Sequence, residues 1–128
     1  MTTRFVPGQS FIGLRARTVR ADGLDVTLIL ALDTGATYSM LTRRAWELLG
    51  HSDAELGETV SVAAVGAVAS GRWGELPRIA VLGRRAAPWQ VAVMEMPRVA
   101  FHGLLGLDFL RNSRLTIDFR RGEIELES

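Results

Sequence analysis

Five consecutive apolar residues, Leu28-Ile29-Leu30-Ala31-Leu32, run directly into Asp33-Thr34-Gly35-Ala36. An apolar run of this length reads as a buried strand, and this one ends on a carboxylate, a hydroxyl and a glycine. The fold must therefore present one ionisable group at the mouth of an apolar core, where desolvation and neighbouring groups act on it. The plain alternative is an Asx-type turn, in which the aspartate merely bonds its own backbone.

The dominant period elsewhere is two, with glycine-containing turns at short intervals, which predicts a mainly antiparallel all-β domain. Strands over 11–19 and 24–31 flank Ala21-Asp22-Gly23, whose Asp-Gly pair favours a hairpin turn. After the acid, 38–41 is a short strand, and Thr42 caps a helix over 43–49 that Gly50 ends. Small, β-branched and glycine-punctuated residues over 58–82, with Val65-Gly66-Ala67 central, predict a second hairpin able to act as a lid. Pro88 and Pro97 bracket a strand over 89–96. Phe101-His102 then leads into Gly103-Leu104-Leu105-Gly106, a short helix over 107–111, and strands over 115–119 and 123–126 about an Arg121-Gly122 turn.

A chain of 128 residues makes one domain, 1–128, with one site. The net charge of +1, with acids and bases interleaved, argues against nucleic acid or anionic lipid as a partner. Arg84-Arg85 and Arg120-Arg121 read as solvated turn residues, and Asp53, Glu55 and Glu58 as solvated loop charges. Cysteine is absent, which removes disulfides, thiolate nucleophiles and cysteine metal sites. His51 and His102 are separated and lack a carboxylate set, so no metal and no cofactor is expected. Trp46, Trp73 and Trp89 read as core or interface residues, with Trp73 placed to lie under the lid. No signal pattern opens the sequence and no run of roughly 18 apolar residues occurs. The expectation is a soluble chain without membrane contact, cytoplasmic by default and periplasmic if an upstream anchor was removed.

If Asp33 is catalytic, it is half of a machine. One ionised carboxylate must deprotonate water while a second, protonated one donates to the substrate carbonyl, and two adjacent aspartates share a proton because both cannot ionise cheaply. This chain offers one such acid, so the economical solution is a twofold homodimer with an Asp33 from each subunit at the axis. Thr34 can then bond across the axis, and Gly35 permits close approach and offers its N–H to a carboxylate oxygen. Ala36 cannot donate a hydrogen bond as a serine would, which predicts activity reaching toward mildly acidic or near-neutral pH.

Two segments resemble the retropepsin-like aspartic proteases, single-domain relatives of pepsin that include retroviral and bacterial enzymes. Ala31-Leu32-Asp33-Thr34-Gly35-Ala36, followed by Ser39-Met40-Leu41-Thr42, looks like the family's active-site loop and next strand. Leu104-Leu105-Gly106-Leu107-Asp108-Phe109-Leu110 looks like its second signature, about 70 residues later with a glycine-bearing hairpin between. The likeness spans 11–126. It implies an acid-protease β-barrel with a flap hairpin and one or two short helices. It also implies that Asp33, Thr34 and Gly35 are the catalytic loop, that Leu104 to Gly106 back it, and that Asp108 is a structural hydrogen-bonding residue.

The chain departs from the family at the flap, where Val62-Ala63-Ala64-Val65-Gly66-Ala67 lacks the polar or glycine-richer tip. A dimer through terminal strands is implied, with Glu123-Ile124-Glu125-Leu126 a contributor or, alternatively, a protected edge strand. The resulting expectation is an aspartic endopeptidase acting on extended protein or peptide substrates. Ala36, Leu30, Val65, Gly66, Ala67 and Leu104 would contact substrate, with apolar residues preferred about the scissile bond. The rival readings are a retropepsin-fold interaction module without turnover and a monomeric nucleic-acid-binding barrel.

Overall fold

A computed structural model describes residues 1–64 and 67–128, without the side chains of residues 63, 64 and 67. Val65 and Gly66, expected at the lid tip, lie outside the described residues, as does the side chain of Ala67.

The all-β expectation holds: twelve strands and two short helices form the described chain. The first long hairpin joins β2 (Gly13–Val19) to β3 (Asp25–Leu32), with Leu14 opposite Leu30 and Ala16 opposite Leu28 on the buried face. Its turn closes as the Asp-Gly pair predicts, Gly23 adopting φ +89° while Asp22 Oδ1 accepts from the Leu24 N–H.

Beyond the acid loop, β4 (Met40–Thr42) starts two residues later than expected. Thr42 ends it and caps α1 (Arg43–Leu48), its Oγ1 accepting from the Ala45 N–H at 3.1 Å. Trp46 on α1 is buried and donates its indole N–H to the Ser52 carbonyl. His51 stacks on that indole, and a single 3-10 turn, Asp53–Glu55, follows. The acids of that turn are exposed yet engaged, which corrects their reading as merely solvated. Asp53 pairs with Arg43, and Glu55 accepts from the Ser52 N–H and from His51.

The hairpin expected over 58–82 is shorter and ends at Leu76. It comprises β5 (Thr59–Ala64) and β6 (Ala67–Leu76), after which Pro77 interrupts the ladder. β7 (Ile79–Val81) then leaves to pair with β2 and turns through Leu82 and Gly83, both at positive φ, into β8 (Arg84–Ala86). Arg84 is therefore a strand residue, not a solvated turn. It donates to the Phe109 carbonyl, bonds Ser113 and lies over the Phe109 ring.

β9 (Trp89–Met94), β10 (Gly103–Leu105) and α2 (Leu107–Leu110) follow. Nine strands form one curled sheet in the order β5-β6-β9-β4-β10-β3-β2-β7-β8. Two of its pairings are parallel, β10 with β3 and β4 with β9.

The termini form a separate three-stranded sheet. β11 (Arg114–Asp118) and β12 (Glu123–Glu127) make a hairpin, and β1 (Thr2–Arg4), which the sequence pattern did not predict, adds on the other side of β12. The Glu123 to Leu126 segment is thus the centre of the sheet. It is not an edge strand, since β1 and β11 occupy both of its sides. Ile124 and Leu126 enter the main core with Leu14, Leu30, Trp46 and Leu105. A second apolar cluster joins Met40, Val60, Val62, Ala92 and Met94, with Tyr38, Trp73 and Leu104 packed against it. Among the described residues no helix is long and apolar enough to cross a membrane.

Candidate active site

The acid loop is held by a chain crossing. β10 lies parallel to β3 and antiparallel to β4, so the second signature segment threads between the strand that enters the loop and the strand that leaves it. The approach is too close for any side chain at two points. A Cβ on Gly103 would stand 2.0 Å from the Met40 carbonyl oxygen, and one on Gly106 2.8 Å from that of Ala36. Glycine is a packing requirement there. His102 fastens the same crossing: it donates its N–H to the Ile29 carbonyl, and its Nδ1 accepts from the Ile29 N–H at 2.9 Å. The imidazole is therefore a brace between β3 and β10.

Behind the loop sits a compact polar network. Ser39 has no solvent exposure. Its Oγ donates to Asp108 Oδ1 at 2.7 Å and accepts from the Gly106 N–H at 3.0 Å, while its own N–H donates to the same Asp108 oxygen at 2.9 Å. Asp108 Oδ1 also accepts from the Phe109 N–H, and the Leu107 N–H donates to the Ala36 carbonyl. Each buried polar group of this junction has a partner, which ties α2 to the loop.

In front of the network, Asp33 donates its backbone N–H to the Leu105 carbonyl at 3.0 Å and takes the Ala36 N–H on its own carbonyl. Its carboxylate is half-exposed. One oxygen accepts from the Gly35 N–H at 2.9 Å, and among the described residues the other has no partner. Thr34 and Gly35 are exposed beside it. The loop can thus offer one oriented carboxylate to something outside the subunit. Alone it cannot offer both a general base and a general acid.

The residues expected to touch substrate divide. Ala36 and Leu30 both have no exposure, so in this conformation neither presents surface to a ligand. Ala36 supports the loop from beneath, and Leu30 belongs to the main core because its strand position alternates inward. Leu104 is half-buried in the second cluster. That cluster connects the loop to the β5–β6 hairpin, with the Tyr38 and Trp73 rings edge to face at 5.1 Å. Sequence reasoning missed the anchoring roles of Tyr38 and His102. A cavity of about 700 Å³ opens elsewhere, between α1 and residues 95–102, and Asp33 does not line it.

Comparison with known proteins agrees with the loop and the crossing. The family model described as "gag-polyprotein putative aspartyl protease" matches residues 18–112, which include both signature segments. No curated protein matches the chain. Among solved structures, a retropepsin-like aspartic protease from Rickettsia conorii is similar with a TM-score of 0.70 at 17% identity, covering 98% of this chain and 88% of that one. The retroviral protease-like domain of Ddi1 from Leishmania major is similar with a TM-score of 0.51 at 17% identity, covering 94% and 96%. Retropepsin-like architecture, a matched family model and an acid loop backed by the second signature lead to one assignment: the chain belongs to this gag-type aspartyl protease family.

Proposed function

We propose that the protein is an aspartic endopeptidase active as a homodimer, with a water activated between two Asp33 side chains. The observation that carries this reading is the Asp33 carboxylate itself: half-exposed, with one oxygen held by the Gly35 N–H and the other open. In the proposed step the ionised Asp33 takes a proton from water while the protonated partner donates to the scissile carbonyl oxygen. The new C–O bond gives a tetrahedral diol, and proton return to the amide nitrogen releases amine and acid without a covalent enzyme intermediate. Thr34, exposed beside the acid, braces the two loops across the axis. The β5–β6 hairpin serves as the flap, a role supported by the packing of its base against Tyr38. Substrate would lie extended, with its main chain paired to strand edges.

A second reading is a dimerisation module without turnover, favoured by one observation: the Gly35-to-Asp33 bond is also what a plain Asx turn makes. The two separate on Asp33→Asn. The parent should cleave peptide libraries and bind a statine-type inhibitor, and the variant should lose cleavage by at least about a thousandfold. Equal cleavage by both proteins dismisses the enzyme.

A further inference from the structure

We infer that the cavity between α1 and residues 95–102 is a second binding surface, suited to an extended acidic peptide in which carboxylates stand beside apolar side chains. Its occupancy depends neither on catalysis at Asp33 nor on dimerisation.

The cavity measures about 700 Å³, within the range of sites that take a ligand. One wall is a face of α1. Arg44 and Leu48 stand four residues apart, hence one above the other, while Ala45 and Trp46 turn into the core. Leu48 is 56% exposed, at a solvent-facing position where a surface helix ordinarily carries a polar residue. On the wall formed by residues 95–102, Val99 is 37% exposed, and Met96 and Phe101 are partly buried. Apolar side chains from two separate segments thus meet open space in one place, which marks a contact surface.

The polar groups set among them are chiefly donors. Arg44 and Arg98 form no hydrogen bond or ion pair among the described residues, whereas the acid of the lining, Glu95, is paired with Arg43 at 3.5 Å. His102 adds a third donor: its Nδ1 accepts from the Ile29 N–H, which places the ring proton on Nε2, and among the described residues Nε2 has no partner. Donors left over beside apolar surface are complementary to carboxylates carried on an apolar ligand. The main chain favours a polypeptide. Residues 95–101 join no ladder and form no backbone hydrogen bond among the described residues, so they can pair with an extended segment. A nucleic-acid strand matches less well, because its phosphates call for a longer run of cations than two arginines with Glu95 between them in the chain.

The test reads fluorescence anisotropy of fluorescein-labelled Glu-Leu-Glu-Phe-Leu-Glu on the full chain, with circular dichroism to check folding. Binding should saturate below about 1 mM, and the counterpart with lysine at every glutamate should bind at least about tenfold more weakly. Arg44→Glu and Arg98→Glu should each weaken binding about tenfold, and Leu48→Ser about three- to tenfold; all three positions are exposed. Arg85→Glu changes the same net charge at an exposed position outside the cavity and should alter affinity less than about twofold. Asp33→Asn should bind the peptide as the parent does, and a statine-type inhibitor should not displace it, which separates this surface from the cleft. The inference is overturned if binding does not saturate, if both reversals bind like the parent, if Arg85→Glu weakens binding as much as they do, or if the inhibitor or a single-stranded oligonucleotide displaces the peptide. Self-association that Arg44→Glu abolishes, without peptide binding, gives the cavity to a second copy and also overturns it. Cleavage is scored separately. A parent that binds this peptide but cuts no peptide library upholds the surface and removes the enzyme; one that cuts without binding it does the opposite.

Discussion

Two aspartates stand on either side of the same chain crossing and differ in the hydrogen bonds they accept. Asp108 gathers three donors on one oxygen, two of them from the buried Ser39, and so fixes α2 against the loop. Asp33 receives a single backbone N–H on its carboxylate, and among the described residues its second oxygen has no partner. Asp108 is exposed too, and its other oxygen has no partner among the described residues, so the contrast lies in the three donors that tie one oxygen of Asp108 into the junction against the single loop N–H that Asp33 takes. The two side chains are identical, and the difference between them lies in the donors that surround each.

The sharpest way to break that comparison is to remove each acid in turn. Asp33→Asn should abolish peptide cleavage while leaving the thermal midpoint close to that of the parent. Asp108→Ala should lose about 2–4 kcal/mol of stability in denaturant titration, because it removes the acceptor of both the N–H and the hydroxyl of Ser39, a residue with no solvent exposure. Ser39→Ala should lose less, about 1–2 kcal/mol, and the double variant should fall short of the sum because both side chains belong to one network. If Asp108→Ala were as stable as the parent while Asp33→Asn unfolded, the assignment of the two acids would be reversed.

A smaller effect is expected at Glu55, a third acid that is bonded yet exposed. The Ser52 N–H, and after it His51, hold its carboxyl below the ordinary glutamate range. A folded value below the unfolded one adds stability at pH above the unfolded value, and that contribution disappears as pH falls through the folded value. The parent should therefore lose slightly more thermal stability than Glu55→Gln between pH 6 and pH 3, with the two curves converging at the acid end. Parallel curves would show that the bond contributes nothing to folding.

The same contrast between local and distant partners explains what was legible in the sequence. The β2–β3 hairpin, the Thr42 cap and the acid loop are written in neighbouring residues, namely Asp22-Gly23, the Thr42-to-Ala45 spacing and the apolar run into Asp33. β1 was not legible, because Thr2 to Arg4 has no apolar alternation and becomes a strand through β12, more than a hundred residues later. Likewise, the alternation of Glu123 to Leu126 could not say whether that strand was an edge or a centre. The division at Pro77 and the Leu82-Gly83 turn were hidden inside a continuous small-residue segment. At the site, Leu30 and Ala36 were expected to contact substrate. Strand alternation instead turns Leu30 inward, and Ala36 has no solvent exposure. The roles of Arg84 and His102 depend on Phe109 and Ile29, partners that no local pattern names.

The central claim is that two subunits jointly complete one reactive centre. A crystal structure of the assembled protein tests it most directly, through the separation of the two Asp33 carboxyl groups. The account predicts that they face each other across a twofold axis at about 3 Å, close enough to share one proton. A dimer with those carboxyls turned apart, or a protein that hydrolyses peptides as a strict monomer, would contradict it.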